Sequence, residues 1–380
     1  MEIHTLGYDP KKHWPVKNRP RVDSRRTLVL LFGSSNFLDF PDPISELIDE
    51  YRESIVIGCS TAGEILGTQI FDESVSTAIV RFDHTDLRMA SAPARSAEDS
   101  FAAGRQIARQ LNDSRLKGIF VLSDGLHVNG SELVRGLNSE VSPSVVVTGG
   151  LAGDGDRFRR TWVLQDRRPQ PGFVTAVGFY GDRIRIGHGS KGGWDRFGPE
   201  RRVTKSTGNV LFELDGRPAL QLYKEYLGDR ASGLPATGLL FPLALRAKQT
   251  DSKSLVRTIL GVNEHEQSLT FAGDIPEGAY AQLMKANFDR LVQGASEAAT
   301  FTKLAADGDS AQLAVAISCV GRRLVLGGRT EEETEATLDV LPKGTKQVGF
   351  YSYGEISPYT AGTCDLHNQT MTLTTLSEAA

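Results

Sequence analysis

The sequence is poor in cysteine and has neither a long apolar run nor an excess of basic residues. Cys59, Cys319 and Cys364 are the three cysteines in 380 residues. Such a set cannot form a disulfide framework, which favours a reducing compartment and predicts a cytoplasmic protein. No segment approaches the roughly 18 uncharged apolar residues that a membrane-spanning helix needs. The N-terminal segment also lacks the apolar core of a signal peptide.

The charge balance excludes two further classes of partner. The formal net charge is −4, with 39% hydrophobic and 24% charged residues. These fractions are ordinary for a soluble globular protein. A chain that docks on nucleic acid or on anionic lipid through its charge carries a basic excess. The sequence therefore predicts no nucleic-acid partner and no membrane span.

Length and pattern predict an α/β (α+β) protein of two domains. A chain of 380 residues exceeds what one core usually supports. Buried strand patterns alternate with helix patterns through the first half, and no strict internal repeat is visible. We expect a flexible leader at residues 1–26, one domain at 27–214 and a second at 215–380. Each domain is predicted as a mixed β-sheet packed with helices, and the sheets could stack between helical layers.

Small and polar residues follow three buried strand patterns of the first half. The apolar segments 55–58, 119–122 and 145–148 run into loops at residues 59–64, 123–130 and 149–155. Ligands of α/β proteins bind at such carboxyl ends of strands. The glycine-rich loop at 149–155 matches neither a dinucleotide fingerprint nor a P-loop, so a tight turn is favoured there over phosphate binding.

The C-terminal segment collects the most polar chemistry. Two strand patterns, at residues 348–356 and 367–376, are predicted to pair as a hairpin. That pairing would bring Glu355 near His367 and Asn368 at one end of a sheet. Arg322 follows another buried strand, and with Glu355 and Asn368 it could form a bidentate site for a small carboxylate or zwitterion. Solvated or structural roles for these residues are the alternative.

Metal, haem and nucleophile chemistry remain as alternatives. Cys364-x-x-His367 is half of a zinc site, and no second ligand pair follows. Haem needs only one axial ligand in an apolar pocket, and without a Cys-x-x-Cys-His motif it would be held non-covalently. Candidate haem ligands are His127, His188 and His367. An enzyme with Cys59 or Cys319 as nucleophile is a further alternative.

Several motifs together resemble those of a known family. In the first half they lie at residues 57–65, 123–126 and 148–154, and in the second half at 211–226, 318–322, 349–355 and 367–372. The chain resembles the FIST proteins, which have an N-terminal and a C-terminal FIST domain. The match keeps the family's order of motifs over nearly the whole chain after residue 26.

The resemblance implies an intracellular sensor without catalysis. Such proteins look like binders of amino acids or related metabolites, and some bacterial members look like haem proteins that sense nitric oxide. No output domain is apparent in the sequence. We therefore expect a separate partner, such as a histidine kinase, a cyclic-nucleotide protein or a chemotaxis protein. The residues expected to line the ligand pocket are Arg322, Glu355, His367, Asn368, Cys319, Cys59, Thr61, Asp124 and Gly150.

Overall fold

The fold is known from a computed structural model, which describes residues 1–15, 19–251, 254–303, 312–358 and 363–379. The first elements are β1 (Glu2–Tyr8), β2 (Thr27–Ser34), α1 (Asp42–Ile48), β3 (Ile55–Thr61), β4 (Glu64–Leu66), β5 (Gln69–Phe71), β6 (Val75–Arg81), β7 (Asp86–Pro93) and α2 (Ser100–Leu111). Next come β8 (Leu116–Ser123), α3 (Gly130–Asn138), β9 (Val146–Leu151), β10 (Val163–Gln165), β11 (Arg168–Gln170), β12 (Phe173–Tyr180) and β13 (Ile184–Lys191).

An inserted unit and the last strands complete the chain. The inserted unit contains β14 (Asp195–Arg196), β15 (Arg201–Thr207), β16 (Val210–Leu214), β17 (Arg217–Pro218), α4 (Ala219–Leu227), β18 (Leu243–Arg246), β19 (Leu255–Arg257), β20 (Ile259–Asn263), β21 (Ser268–Phe271) and β22 (Tyr280–Lys285). The final elements are α5 (Phe288–Thr302), β23 (Leu313–Cys319), α6 (Val320–Leu326), α7 (Glu331–Val340), β24 (Lys346–Ser352), β25 (Gly354–Pro358), β26 (Cys364–His367) and β27 (Met371–Glu378).

Three six-stranded sheets of one design form the body. Their strand orders are β1-β6-β2-β3-β10-β11 (sheet I), β7-β12-β8-β9-β25-β26 (sheet II) and β13-β27-β23-β24-β4-β5 (sheet III). Each sheet has a central parallel pair, two antiparallel strands on one side and a short hairpin on the other. The predicted α/β class with mixed sheets is confirmed. The design occurs three times although the sequence shows no strict repeat.

The hairpins are exchanged cyclically between the sheets. Strand β3 of sheet I continues into β4-β5, which pairs with sheet III. Strand β9 of sheet II continues into β10-β11 on sheet I, and β24 of sheet III continues into β25-β26 on sheet II. Sheets II and III therefore contain strands from both halves of the chain. This exchange ties the halves into one body.

Each of the three sheets has one face directed toward a core that all three share. Side chains alternate across a strand, so every second residue of a central strand points to the same face. The inward residues of the three central strands are Leu28, Leu30, Phe32, Phe120, Leu122, Leu313, Val315 and Ile317. Helices cover the outer faces. For example, Ile44, Leu47 and Ile48 of α1 pack against Val29 and Leu31 of β2.

The predicted flexible leader is wrong over its first part. Residues Glu2–Tyr8 form β1, which pairs in register with β6 along the edge of sheet I. Trp14 is buried, and its indole N–H donates to the Pro43 carbonyl at 2.8 Å. Backbone pairing and aromatic burial therefore hold this segment, which polar composition alone did not reveal.

The predicted C-terminal hairpin is wrong in its pairing. The segment 348–356 is divided at Tyr353 between β24 of sheet III and β25 of sheet II. Strand β25 pairs with β26, whereas β27 pairs with β23 and β13. The connecting residues 359–362 lie outside the described residues. In the second half, β22 occupies residues 280–285, and the Asn287 side chain caps the start of α5.

The inserted unit is built around a nine-stranded sheet with its own apolar core. It includes Leu220, Tyr223, Leu269 and Phe271. The unit leaves the body after β13 and returns through α5, so the predicted boundary at residue 214 falls inside it. None of the described helices is long and apolar enough to cross a membrane.

Candidate functional site

The hairpin β25-β26 places two of the predicted site residues side by side. Glu355 lies directly opposite His367 in the strand register. Both side chains are buried, and Nε2 of His367 lies 2.9 Å from the Ser357 carbonyl oxygen. Because a carbonyl oxygen only accepts, this nitrogen carries the proton. The predicted proximity of Glu355 and His367 is therefore present, although the strands that produce it differ from those expected.

A pocket of about 310 Å³ adjoins this hairpin, at the junction between the body and the inserted unit. We call it the hairpin pocket. Its described lining consists of Ser190, Lys191, Gly192, Gly193, Trp194, Arg196, Ser254, Val256, Met284, Phe301, His367 and Thr370. The volume lies at the lower end of the range that small ligands occupy in proteins.

The charges around the hairpin pocket are one-sided. Lys191 and Arg196 supply positive charge, and no Asp or Glu is among the described lining residues. Lys191 forms an ion pair with Glu297 at 3.1 Å, whereas no ion pair joins Arg196 to another described residue. Arg196 is exposed. The pocket therefore favours a ligand with negative charge.

A chain of hydroxyl groups leads from the pocket wall to a buried carboxyl group. Thr372 donates to the Ser190 hydroxyl at 3.0 Å, and the hydroxyl oxygens of Thr370 and Thr372 are 3.3 Å apart. The Thr370 hydroxyl donates to Oε2 of Glu355 at 2.9 Å, and its backbone N–H donates to the same oxygen at 3.2 Å. Glu355 thus lies behind the pocket and connects to it through Thr370.

Burial decides the charge of Glu355. It raises the pKa of this carboxyl to about 8, and hydrogen bonds from Ser352 and Thr370 oppose the shift. The group is therefore mainly protonated near neutral pH. A neutral carboxyl group behind the pocket does not offset the positive charges of Lys191 and Arg196.

An equivalent carboxyl group occurs in the first of the three structural repeats, which consists of sheet I and the hairpin β4-β5 that follows β3. Glu64 begins β4 directly after β3 of sheet I, as Glu355 lies in β25 directly after β24 of sheet III. Glu64 accepts hydrogen bonds from the Thr61 hydroxyl and from the N–H and hydroxyl of Ser74. Glu355 has the same arrangement with Ser352 and Thr370. Burial raises the pKa of Glu64 to about 7. The shared spacing Ser/Thr-x-Gly-Glu was the sequence signal for this equivalence.

Asn368 is buried behind the hairpin, and its amide is unusual. Within the described part of the chain, neither Oδ1 nor Nδ2 has a hydrogen-bond partner. An unpaired polar group costs about 1–3 kcal/mol when it is buried. Such a cost is often retained next to a functional site.

Arg322 does not line the pocket, contrary to the prediction. Its guanidinium forms a fully buried ion pair with Glu333 at 2.7 Å. The same group donates to the carbonyls of Gly192 and Leu291. Arg322 therefore links α6 to α7 and fixes the backbone at Gly192, which lines the pocket. This is a structural role, because four of its five N–H groups donate to the protein itself.

The structure also separates the remaining predicted residues from the hairpin pocket. Cys319 is buried close to Glu355, and burial raises the pKa of its thiol to about 12. Cys59 and Thr61 are buried in the first repeat, where Thr61 binds Glu64. Gly150 lies in β9 opposite Glu355, against Gly354 and Ile317. Contact between strands explains this glycine without a ligand.

Asp124 is buried behind the wall of a different pocket. Its buried carboxylate accepts hydrogen bonds from the backbone N–H groups of Leu126, His127 and Gly172, which shape the loop after β8. The imidazole Nδ1 of His127 lies 3.0 Å from the same carboxylate. His127 lines a cavity of about 200 Å³ between this loop and the inserted unit.

The three candidate haem ligands do not form a haem site in the described part of the chain. His127 and His367 line two small, separate cavities of about 200 and 310 Å³. His188 belongs to β13 and lines neither of them. Each cavity is too small to enclose a porphyrin ring, so the described residues do not fit the cofactor.

The half zinc site is not completed by the fold. Cys364 binds the side chain of Asn138, whereas His367 lies at the opposite end of β26 and binds Ser357. No group of three or more His, Cys, Asp or Glu side chains suited to a metal occurs among the described residues.

Sequence reasoning missed the part of the pocket that comes from outside the hairpin. Lys191 ends β13, and Arg196 belongs to β14 of the inserted unit. Between them, the indole N–H of Trp194 donates to the Gln369 carbonyl at 2.8 Å, which fixes this segment against the turn after His367. The sequence feature at this place is the pair of glycines at 192–193, which is typical of a loop and does not by itself indicate a ligand site.

The fold combines mixed α/β sheets with pockets of ligand size at the junction of two units, as in ligand-binding modules. Comparison with protein families identifies the module. The model of the FIST N domain matches residues 27–217, and that of the FIST C domain matches 219–358. The chain therefore belongs to the FIST family, and the resemblance is confirmed. FIST domains are sensor domains of signal transduction.

Two individual proteins show weaker similarity. The uncharacterized protein MJ1623 of Methanocaldococcus jannaschii is 25% identical over 283 residues, which cover 66% of this chain and 53% of that protein. The match therefore spans about half the length of this relative. The crystal structure of cyanuric acid hydrolase from A. caulinodans aligns over 100% of this chain and 99% of its own, with 8% identity and a TM-score of 0.39. A similarity at that level carries no functional inference.

Proposed function

We propose that this protein is a cytoplasmic, non-catalytic sensor that binds a small carboxylate metabolite, related to the amino acids, in the hairpin pocket. The main support is the pocket's polarity. Two cationic side chains and several neutral donors line it, and no carboxylate is among its described lining residues. The protonated state of Glu355 behind the wall preserves that polarity.

Recognition would divide between the two ends of the ligand. The carboxylate would bind Arg196, Lys191 and the hydroxyl of Ser190. Charge-assisted hydrogen bonds of this kind are the strong ones in ligand binding. The apolar part of the ligand would pack against Trp194 and other apolar lining residues. Without an acidic partner for an ammonium group, a 2-oxo acid suits this pocket better than the matching amino acid.

A signal can arise because the pocket spans two structural units. Ser190 and Thr370 belong to the body, whereas Arg196 and Met284 belong to paired strands of the inserted unit. A ligand that contacts both sides stabilises one relative placement of the units over others. A separate partner, such as a histidine kinase, a cyclic-nucleotide protein or a chemotaxis protein, would detect that placement.

Absence of catalysis is part of the proposal. The two cysteines considered as nucleophiles, Cys59 and Cys319, are buried, and burial raises the pKa of both thiols. A reactive cysteine needs an accessible thiolate with a lowered pKa. Neither thiol has that environment.

Calorimetry with three 2-oxo acids tests the proposal. The probes are pyruvate, 4-methyl-2-oxopentanoate and phenylpyruvate, titrated into the wild-type protein and into Arg196→Ala. We expect at least one probe to bind, with a loss of roughly tenfold in the variant, because a charge-assisted hydrogen bond contributes about 1.5–3 kcal/mol.

The control is Arg217→Ala, which removes an exposed arginine of the inserted unit that does not line the pocket. Its affinity should equal that of the wild type. If none of the probes binds, or if the two variants lose affinity equally, the hairpin pocket is not a carboxylate site.

A further inference from the structure

Strand β19 separates the hairpin pocket from a second pocket. Its alternate residues face opposite sides, as strand geometry requires. Val256 lines the hairpin pocket, whereas Leu255 and Arg257 line the second one, which has a volume of about 300 Å³. We call the latter the Arg257 pocket. No residue considered in the sequence-based predictions lines it.

Arg257 is a buried cation without a counterion in contact. Its side chain is 5% exposed. Nε donates to the Asp274 carbonyl at 3.2 Å, and Nη1 donates to the carbonyls of Val256 at 3.2 Å and Leu366 at 3.0 Å. Among the described residues, Nη2 has no hydrogen-bond partner, and no ion pair involves this guanidinium. A buried charge is costly unless it is paired.

The polar lining of the Arg257 pocket also includes the Ser131 hydroxyl and three carboxyl groups. Asp251, Asp274 and Asp365 border the same pocket as Arg257. Arg246 also lines it, but its guanidinium is ion-paired with Glu200. A simple anion would meet the available guanidinium beside the carboxyl groups of Asp251 and Asp274. A zwitterion avoids that repulsion, because its ammonium group can face the carboxylates while its carboxylate faces Arg257.

The remaining lining is apolar. It consists of Val134, Leu245, Ala247, Leu255, Pro276, Ala279 and Leu366. Such a wall favours an aliphatic side chain, since burying its methyl and methylene groups contributes about 0.8 kcal/mol for each CH₂. The pocket thus offers a cation, nearby carboxylates and an apolar surface.

We propose that the Arg257 pocket is a second ligand site, which binds an aliphatic α-amino acid as its zwitterion. The ligand carboxylate binds Nη2 of Arg257, the ammonium group lies next to Asp274, and the side chain packs against Leu245 and Leu255. This site goes beyond the proposed function, since it differs from the hairpin pocket in position and in ligand class. Strand β19 connects the two sites directly.

The first test varies the ligand and keeps the protein the same throughout. L-leucine, 4-methylpentanoate and isopentylamine share one aliphatic skeleton, and the last two lack the ammonium or the carboxylate group, respectively. Calorimetry on Arg196→Ala, in which carboxylate binding at the hairpin pocket is weakened, should show binding of L-leucine and at least tenfold weaker binding of both analogues. Failure of L-leucine to bind, or equal binding of 4-methylpentanoate, overturns the proposal.

The second test locates the site. Asp274→Asn keeps an acceptor for the Asn129 side chain, which donates to Oδ1 of Asp274 at 2.9 Å. This variant should weaken L-leucine by roughly tenfold and leave any residual binding of 4-methylpentanoate unchanged, since the latter has no ammonium group. A purely structural role for Asp274 would affect both probes alike, and that result contradicts the proposal.

Two arginine variants complete the test. Arg257→Lys keeps the charge but removes the planar fork, so it should weaken L-leucine at least tenfold. Arg196→Ala should leave L-leucine unaffected. If Arg196→Ala abolishes L-leucine binding, the amino acid occupies the hairpin pocket and the Arg257 proposal fails. Loss of 2-oxo acid binding alone would instead refute the function proposed above, so the two failures are distinguishable.

Discussion

Replacing Glu355 with glutamine should change how stability depends on pH. The carboxyl group is fully buried, and its two oxygens accept from Ser352 at 2.6 Å and from Thr370 at 2.9 and 3.2 Å. Glutamine has nearly the same shape and can keep an acceptor toward Thr370, while the Ser352 hydroxyl can rotate to accept its amide N–H. The substitution therefore removes the titration with little change in packing.

The direction and magnitude of this pH dependence follow from the pKa of Glu355. Burial raises the pKa of Glu355 from 4.5 to about 8. Between these values the folded protein holds a proton that the unfolded chain has lost, so this group makes the protein less stable as pH rises. One pKa unit corresponds to about 1.4 kcal/mol, so raising the pH from 6 to 8 costs the wild type on the order of 3 kcal/mol through this residue.

Urea denaturation at pH 6, 7 and 8 measures the effect. The stability of Glu355→Gln relative to wild type should rise by on the order of 3 kcal/mol across this interval. Glu335→Gln, an exposed change on α7, is the control and should follow the wild type. A constant difference between Glu355→Gln and wild type over the same range would show that Glu355 is ionised in the folded protein, and would refute the reasoning.

Three further predictions concern other buried groups. Arg322→Ala should reduce the free energy of unfolding by about 3–5 kcal/mol, because it leaves Glu333 buried without its partner; an unchanged urea midpoint would contradict this. Trp14→Ala should cost about 3–5 kcal/mol in the same assay, whereas a flexible leader would show no change. In the native protein, Cys59 and Cys319 should react with iodoacetamide more slowly than free cysteine, as followed by mass spectrometry, and fast labelling would indicate an accessible thiolate.

Local features of the fold were predictable because they depend on neighbouring residues. The period of Ile44, Leu47 and Ile48 after Asp42 and Pro43 predicts a helix, which is present as α1, although Asp42 is its first residue and not its N-cap. The capping box of Ser96 and Asp99 is also present at the start of its helix. In such segments, backbone capping and the apolar period act within a few residues.

The exchange of strands between sheets was not predictable in the same way. A strand pattern defines its apolar face but not its partner, so the division at Tyr353 between two sheets left no local signal. Pairing across long separations also created the pocket, where β13, β14 and β27 meet the hairpin. The sequence suggested Glu355 and His367, but Arg196 became a candidate only when the inserted unit was in place.

The same limit explains the wrong role for Arg322. Its position after a buried strand was consistent with a ligand contact. Its actual partner, Glu333, comes from α7, and the sequence carried no indication that the two helices bury this pair together. A charged side chain close to a pocket can therefore be bound to other protein groups and contribute nothing to ligand binding.

Hydrogen–deuterium exchange with and without 4-methyl-2-oxopentanoate tests the central claim most directly. The account predicts that the ligand slows exchange in residues 190–196 and 367–372, which form or adjoin the walls of the hairpin pocket. Protection should be weaker in Arg196→Ala at the same ligand concentration. Unchanged exchange in both segments at saturating ligand, or protection confined to other parts of the chain, would contradict binding in the hairpin pocket.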